Sequence, residues 1–288
     1  MKLRVMTAAD IPAGMRLKDL AGWNQTASDW QRFLDASPHG CFVAEVDGRV
    51  SGTVTTIVHG GRVAWIGMVL VDPDVRGRGI GTELLGRAIE HLEELRVPAL
   101  KLDATPQGRP LYAKLGFVDE YEIERWVLRR DPATGGAAES GPRMIGGRGG
   151  DSQVVDQIME LDLQVFGADR SALLRSLELD APVFALVLRR DDAVQGYALG
   201  RRGSRADHLG PWVARDEATA RALGGGFLRR STAPTIFVDC LKSNRFAVET
   251  VRSFGFEFSR PLMRMVRGTN LHPGLPELVA GILGPEFG

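Results

Sequence analysis

The sequence predicts a mixed α/β (α+β) chain made of two diverged copies of one domain, each a mostly antiparallel sheet flanked by helices. Three observations carry this. At 288 residues the chain exceeds the ~100–200 residues of an ordinary domain. A glycine- and arginine-rich loop, "VRGRGIGTELL" at 75–85, joins an apolar β-rich run to an amphipathic helix, as a parallel crossover does. The order of elements around that loop then returns after a stretch rich in glycine and proline.

In the first copy, "LRVMT" is a short strand and residues 10–21 and 27–36 have helical periodicity. "CFVAEV", "RVSGTVTTIV" and "RVAWIGMVLV" are strands of a meander, joined at "VDGR" (46–49) and "HGGR" (59–62) by residues suited to tight hairpins. A helix runs from Gly79 to about Leu95, with Ile80, Leu84, Leu85, Ala88, Ile89 and Leu92 on one stripe. Strand "ALKLDA", helix "GRPLYAKLGF" and strand "YEIERWVLRR" complete it.

Residues 131–150, with seven glycines and two prolines, are the composition of a flexible linker. Beyond it, "FALVLRRDDAVQGYALGRR" parallels "FVAEVDGRVSGTVTT", and "HLGPWVARDEATARALGGGFL" parallels "WIGMVLVDPDVRGRGIGTELL". "IFVDCLKSNRFAVETVRSFGFEF" likewise parallels "LKLDATPQGRPLYAKLGFVDE". The expected domains are therefore 1–130 and 151–288.

Equal numbers of basic and acidic residues, 36 each, argue against a general nucleic-acid or membrane-surface binder, whose footprint is a basic excess. No apolar run approaches the ~20 residues of a spanning helix, and the start lacks the apolar run of a signal peptide. A cytoplasmic protein is expected. Cys41 and Cys240 sit far apart in apolar runs, and the five histidines are scattered, so no disulfide framework and no metal are expected. Trp30 and Trp212 read as core.

The loop at 76–82 is an anion cradle by type. Glycines let successive backbone N–H groups turn toward one ligand, and a helix start adds partial positive charge. Two interleaved arginines favour a phosphate over the plainer reading, a glycine-rich turn before a helix. A P-loop would need Gly-Lys-Ser/Thr, and the lysine is missing. A dinucleotide fingerprint would need glycine at 82, where Thr82 stands, although Asp103 imitates its acidic ribose ligand. That loop here also follows an antiparallel meander.

These residues resemble the GNAT superfamily of acyl-CoA-dependent N-acyltransferases. Its signature, an apolar strand end, Pro, then Arg/Gln-x-x-Gly-x-Gly/Ala at a helix start, stands here as "VLVDPDVRGRGIG". Its second motif, Asn-x-x-Ala-x-x-Leu-Tyr-x-x-x-Gly-Phe, stands as "TPQGRPLYAKLGF", with Thr105 for Asn and Gly108 for Ala. The second half resembles the C-terminal domain of tandem members. It keeps Asn244, Ala247, Gly255 and Phe256, has Val251 where Tyr112 stands, and replaces the cradle by "VARDEATARAL". Asp216 and Glu217 there would repel a diphosphate.

The resemblance implies a catalytic domain at 1–130 and a degenerate copy at 151–288 that is structural or caps the substrate site. The cosubstrate would be acetyl-CoA, its pyrophosphate on the N–H groups of Arg76, Gly77, Arg78, Gly79, Ile80, Gly81 and Thr82. Its pantetheine would lie along Val69, Leu70 and Val71, where two parallel strands splay, with Thr105 and Gly108 also on the cofactor. A bulge there would offer an N–H to the thioester carbonyl. Val69–Val71 would also be an ordinary buried strand. Tyr112 is the implied general acid for the leaving thiolate, against the plainer reading of a packed ring. An amine must lose a proton before attack. Asp103 or Glu45 could take it through water, and Asp103 could equally fix loop 104–108 through backbone N–H groups. Trp23 and Asn24, at the helix junction, are the implied acceptor contacts. The acceptor would be an amine of a small molecule or peptide, and two fused copies in one chain point to a monomer. Two other readings compete: a non-catalytic acyl-CoA-binding or regulatory protein, and an NAD(P)-binding oxidoreductase.

Overall fold

The computed structural model describes residues 1–131, 142–144 and 152–288, which form two compact units. The first is Met1–Asp119 with Met265–Leu271 and Glu286–Gly288; the second is Glu120–Arg264 with His272–Pro285. The units are thus interleaved in sequence. Most of the glycine-rich stretch at 131–150 lies outside the described residues, but Arg143–Met144 (β7) form a short strand.

In the first unit, β1 (Lys2–Val5) pairs antiparallel with β2 (Phe42–Val46), β2 with β3 (Arg49–His59), and β3 with β4 (Val63–Val71). The two hairpins turn through Asp47-Gly48 and Gly60-Gly61, all four at positive φ, the backbone of a type I′ turn that matches strand twist. Helix α1 is Ile11–Leu20 and α2 is Ala27–Ala36. Thr26 starts α2, its N–H donating to the Asp29 carboxylate at 2.8 Å, half of a capping box.

Helix α3 (Ile80–Glu94) then carries the chain to β5 (Ala99–Ala104), which runs parallel to β4. The six residues of its expected stripe are its buried residues, the five Leu and Ile side chains each contributing roughly 1.5–3 kcal/mol of apolar burial. Gly52 admits this helix: a Cβ there would stand 2.8 Å from Leu84 Cδ1 and 3.1 Å from Ile80 Cγ2. Residues 265–268, the end of β12 (Glu257–Gly268), lie beside β5 in this unit, where Thr269 N–H donates to the Pro98 carbonyl at 2.9 Å.

The second unit repeats the plan. Helices α5 (Ser152–Phe166) and α6 (Ser171–Asp180) precede the antiparallel strands β8 (Leu186–Arg190), β9 (Ala193–Arg202) and β10 (Asp207–Ala214). Helix α7 (Glu217–Arg230) crosses to β11 (Thr235–Leu241), parallel to β10. Helix α8 (Arg245–Ser253) follows. Strand β6 (Val118–Arg129), the expected last strand of the first copy, pairs antiparallel with β11 from residue 123 to 129. Trp212, Phe227, Val238 and Val251 lie in its buried core, as Trp30 does in the first unit. Both cysteines are buried and free. Among the described residues, no helix is long and apolar enough to cross a membrane.

Candidate active site

The site is built where β4 parts from β5. The two strands pair at Val63↔Ala99, Ala64↔Leu100 and Trp65↔Lys101, and among the described residues no further β5 partner continues along Ile66–Val71. Against β3 the register slips: Thr55 faces Gly67 while Thr53 faces Leu70. One residue of β3, Val54, is thus spanned by two of β4, Met68 and Val69, which is a β-bulge. Met68 sits at φ +50°, a left-handed conformation that costs a side-chain-bearing residue about 1–2 kcal/mol. The Thr53 hydroxyl secures it by donating to the Met68 carbonyl at 2.8 Å. Bulges re-aim backbone N–H groups, and this one does so where the strands diverge.

The chain leaves β4 through Asp72, which caps a short turn at Pro73–Val75 and accepts from Arg16 at 2.5 Å. The Arg16 guanidinium holds its carboxyl below the usual carboxylate range. The cradle follows. Gly77 and Gly79 lie at φ +77° and +79°, and a Cβ at either would meet open space. They are glycine for conformation, not for room. Gly81 would place a Cβ in ordinary contact with Val71 and Leu111, in keeping with a Gly/Ala position. Gly79 precedes α3 and brings no capping side chain to that helix, whose start adjoins the exposed loop 77–79. Arg76 Nε donates to the Val71 carbonyl at 3.1 Å, tying loop to strand end.

Thr105 and Gly108 lie at the start of α4 (Arg109–Lys114). The Thr105 hydroxyl accepts from Gly108 N–H at 3.2 Å, and the Thr105 carbonyl accepts from Gly108 and Arg109 N–H at 3.0 Å each. Tyr112 lies beside this turn. Its ring stands edge-on to Phe117, with centroids 6.3 Å apart, and a Cβ on Gly108 would come within 2.9 Å of it. The alanine of the family motif would crowd the ring here. Burial pushes the Tyr112 phenol up to about 12, so it is neutral at any ordinary pH. Asp103 is half-buried near the end of β5, past the last residue paired to β4. Glu45 is engaged by Arg4 Nε at 2.7 Å. Trp23 is half-buried in the loop between α1 and α2, whereas Asn24 is enclosed.

Residues 15–117 match the model of the acetyltransferase (GNAT) family, and residues 158–277 match that of an acetyltransferase (GNAT) domain. Acetyltransferase ECA0875 of Pectobacterium atrosepticum is 32% identical over 130 residues, covering 43% of this chain and 88% of that protein. The chain belongs to the GNAT acetyltransferase family. It is a tandem member, and an acyl-transferring enzyme replaces the oxidoreductase and the non-catalytic binder among the readings of the sequence. Holothin acyltransferase of Pseudoalteromonas sp. is 26% identical over 85% of this chain and 81% of its own length. A solved structure from Pyrococcus horikoshii, described as a candidate acetyltransferase, superposes with a TM-score of 0.82 at 26% identity, covering 100% of this chain and 95% of its own.

The second GNAT copy keeps a bulge, Gly210 and Pro211 opposite Leu199, and the parting of its parallel strands, but its cradle and its gap are filled. At the start of α7 the Asp216 carboxylate accepts from Thr219 N–H at 2.7 Å, so the helix terminus is already met by an anion of the chain itself. Strand β10 leaves β11 after Leu209↔Val238, as β4 leaves β5, but here β13 (Val279–Gly281) enters the gap. It pairs with β10 at Trp212↔Gly281 and Val213↔Val279, and Ile282 N–H donates to the Asp239 carbonyl on β11 at 2.9 Å. Asn244, the counterpart of Thr105, accepts from Ala247 N–H at 3.2 Å, and its amide donates to the carbonyls of Glu277 and Val279. Val251 fills the tyrosine's place as a core residue. Sequence reading found the altered loop and the valine. It missed β13, whose short apolar run "ELVAGIL" carries no local sign of its partners.

Proposed function

We propose that the chain transfers an acetyl group from acetyl-CoA to an amine of a small molecule or peptide, by direct attack in a ternary complex, using the first copy alone. The observation that carries this is the sequence of bulge, divergent strand and glycine cradle along one stretch, 68–82, of the first copy, set against a second copy whose equivalent gap holds β13. A diphosphate fits N–H groups presented at positive φ beside a helix start. An extended chain of amides fits Val69–Val71, where among the described residues the backbone has no β5 partner. When bound, acetyl-CoA supplies an activated thioester.

The residues of this chain would do the rest. Arg76 to Thr82 bind the diphosphate. The N–H groups at the Met68–Val69 bulge stabilise charge as it grows on the carbonyl oxygen. Tyr112 donates a proton to the departing thiolate, a step disfavoured by the gap between a phenol near 12 and a thiol near ~8.5, which makes the phenol a hydrogen-bond donor first and a proton donor only as the thiolate forms. Asp103 is the candidate base on β5. Thr105 and Gly108 shape the wall beside Tyr112, and Trp23 offers an aromatic wall for the acceptor. We take residues 1–130 as the catalytic domain, 131–150 as a linker, and 151–288 as the degenerate domain of a monomer in the cytoplasm.

Tyr112→Phe tests the chemistry. Turnover is expected to fall about 100-fold, the lower end of what a positioned acid contributes, while the Kd for acetyl-CoA changes less than threefold. An unchanged rate of free-thiol release removes Tyr112 from its role.

A further inference from the structure

The acetyl-transfer reading gives the first copy one candidate base on its strands, Asp103 of β5. Strands β3 and β4 contain no Asp or Glu, Glu45 is held by Arg4, and Asp103, two residues past Lys101 on the parallel strand β5 and so level with Gly67, is the competing candidate. The pyrophosphate cradle begins after Val71, so an extended arm bound there runs back along β4 and brings its thioester to the bulge at Met68–Val69. An amine attacking that carbon must come from beyond the bulge, over Gly67 and Trp65.

A piece of the chain distant in sequence lies there. Residues 286–288 belong to the first unit. The Glu286 carbonyl oxygen sits only 2.6 Å from where a Cβ on Gly67 would stand, so glycine at 67 is what admits the segment. Phe287 stacks on Phe33 of α2 with ring centroids 4.5 Å apart, and its carbonyl accepts from His59 Nε2 at 3.3 Å. These contacts fix Glu286 one residue from the bulge. Its side chain is turned inward: the residue is 3% exposed and its Oε2 is fully enclosed.

Resting on the acetyl-transfer reading, we propose that Glu286 is the catalytic base that accepts the proton of the acceptor amine. The ammonium proton passes to the Glu286 carboxylate, the freed nitrogen lone pair forms the N–C bond to the acetyl carbon, and the C–S bond breaks. The departing sulfur takes its proton from Tyr112, the second proton of the amide nitrogen returns to Tyr112, and Glu286 gives its proton to solvent and returns to the carboxylate. Gly67 in turn is a positioning residue, since any side chain there would displace the segment that carries Glu286.

The test uses the full chain with acetyl-CoA, following CoA release with water alone and with ethanolamine, glucosamine and spermidine as probe acceptors. Glu286→Gln is expected to lower kcat/KM at least 100-fold, within the range of a general base. The Kd for acetyl-CoA should stay within threefold and the thermal midpoint should hold. Glu286→Asp should restore part of the rate. Phe287→Ala, which loosens the segment and keeps the carboxylate, should lower turnover with the Kd intact. A Glu286→Gln enzyme within threefold of wild type overturns the assignment and leaves the acetyl-transfer reading standing. So does a loss shared equally by rate, Kd and thermal midpoint. A wild-type chain that binds acetyl-CoA but releases no CoA with any probe overturns the acetyl-transfer reading itself, and the assignment with it.

Discussion

Replacing Gly79 by valine is expected to weaken acetyl-CoA binding about 100-fold or more, with the first unit still folded. Gly79 sits at φ +79° immediately before α3. A β-branched residue in that conformation costs about 1–2 kcal/mol, and relaxing it rotates the N–H groups at the helix start away from the diphosphate. Hydrogen bonds to a charged group contribute about 1.5–3 kcal/mol each, so losing two of them reaches the ~2.7 kcal/mol of a 100-fold change. Space is not the cause, since a Cβ at 79 meets nothing within 4 Å. The control follows from this: Gly81→Ala, where a Cβ makes only ordinary contacts, should leave affinity within a few-fold. Titration calorimetry separates the two, and equal affinities for both variants would count against the cradle.

The second large effect concerns stability. Asp239→Ala is expected to destabilise the second unit by about 3–5 kcal/mol, the cost of breaking a buried ion pair at one end. Asp239 on β11 faces Arg125 on β6 in register, and the guanidinium binds it through two contacts of 2.7 and 2.6 Å. Burial alone would raise the Asp239 carboxyl; Arg125 outweighs it and holds the group below the usual range. His208 lies 3.6 Å from the same carboxylate and is pushed down to about 3, mainly by burial, which keeps it neutral. Removing Asp239 leaves a guanidinium enclosed without its counter-charge. For a unit of this size the midpoint of thermal unfolding should fall by roughly 10 °C, and a change below about 1 kcal/mol would mean that Arg125 finds water instead.

Much of the fold was legible because its signals are local. The α3 stripe, the two hairpins and the strand-loop-helix junction depend on period, positive φ and helix starts, which neighbouring residues dictate. The left-handed backbone at Gly77 and Gly79 was legible for the same reason. What the sequence concealed depends on distant partners. The β4 bulge is written in the register of Thr53 and Thr55 against Leu70 and Gly67, not in β4 itself. Strand β6 pairs with β11 across more than a hundred residues. "ELVAGIL" becomes a strand only because β10 and β11 part to receive it, and "EF" at 286–287 matters only because Gly67 and Phe33 receive it.

The most direct measurement is the stoichiometry of acetyl-CoA binding to the full chain by titration calorimetry. One acetyl-CoA per chain is predicted, with the signal lost in Gly79→Val, because the first copy keeps the cradle and the divergent strand while Asp216 and β13 fill both places in the second. Two sites per chain, or one site that survives Gly79→Val, would contradict it.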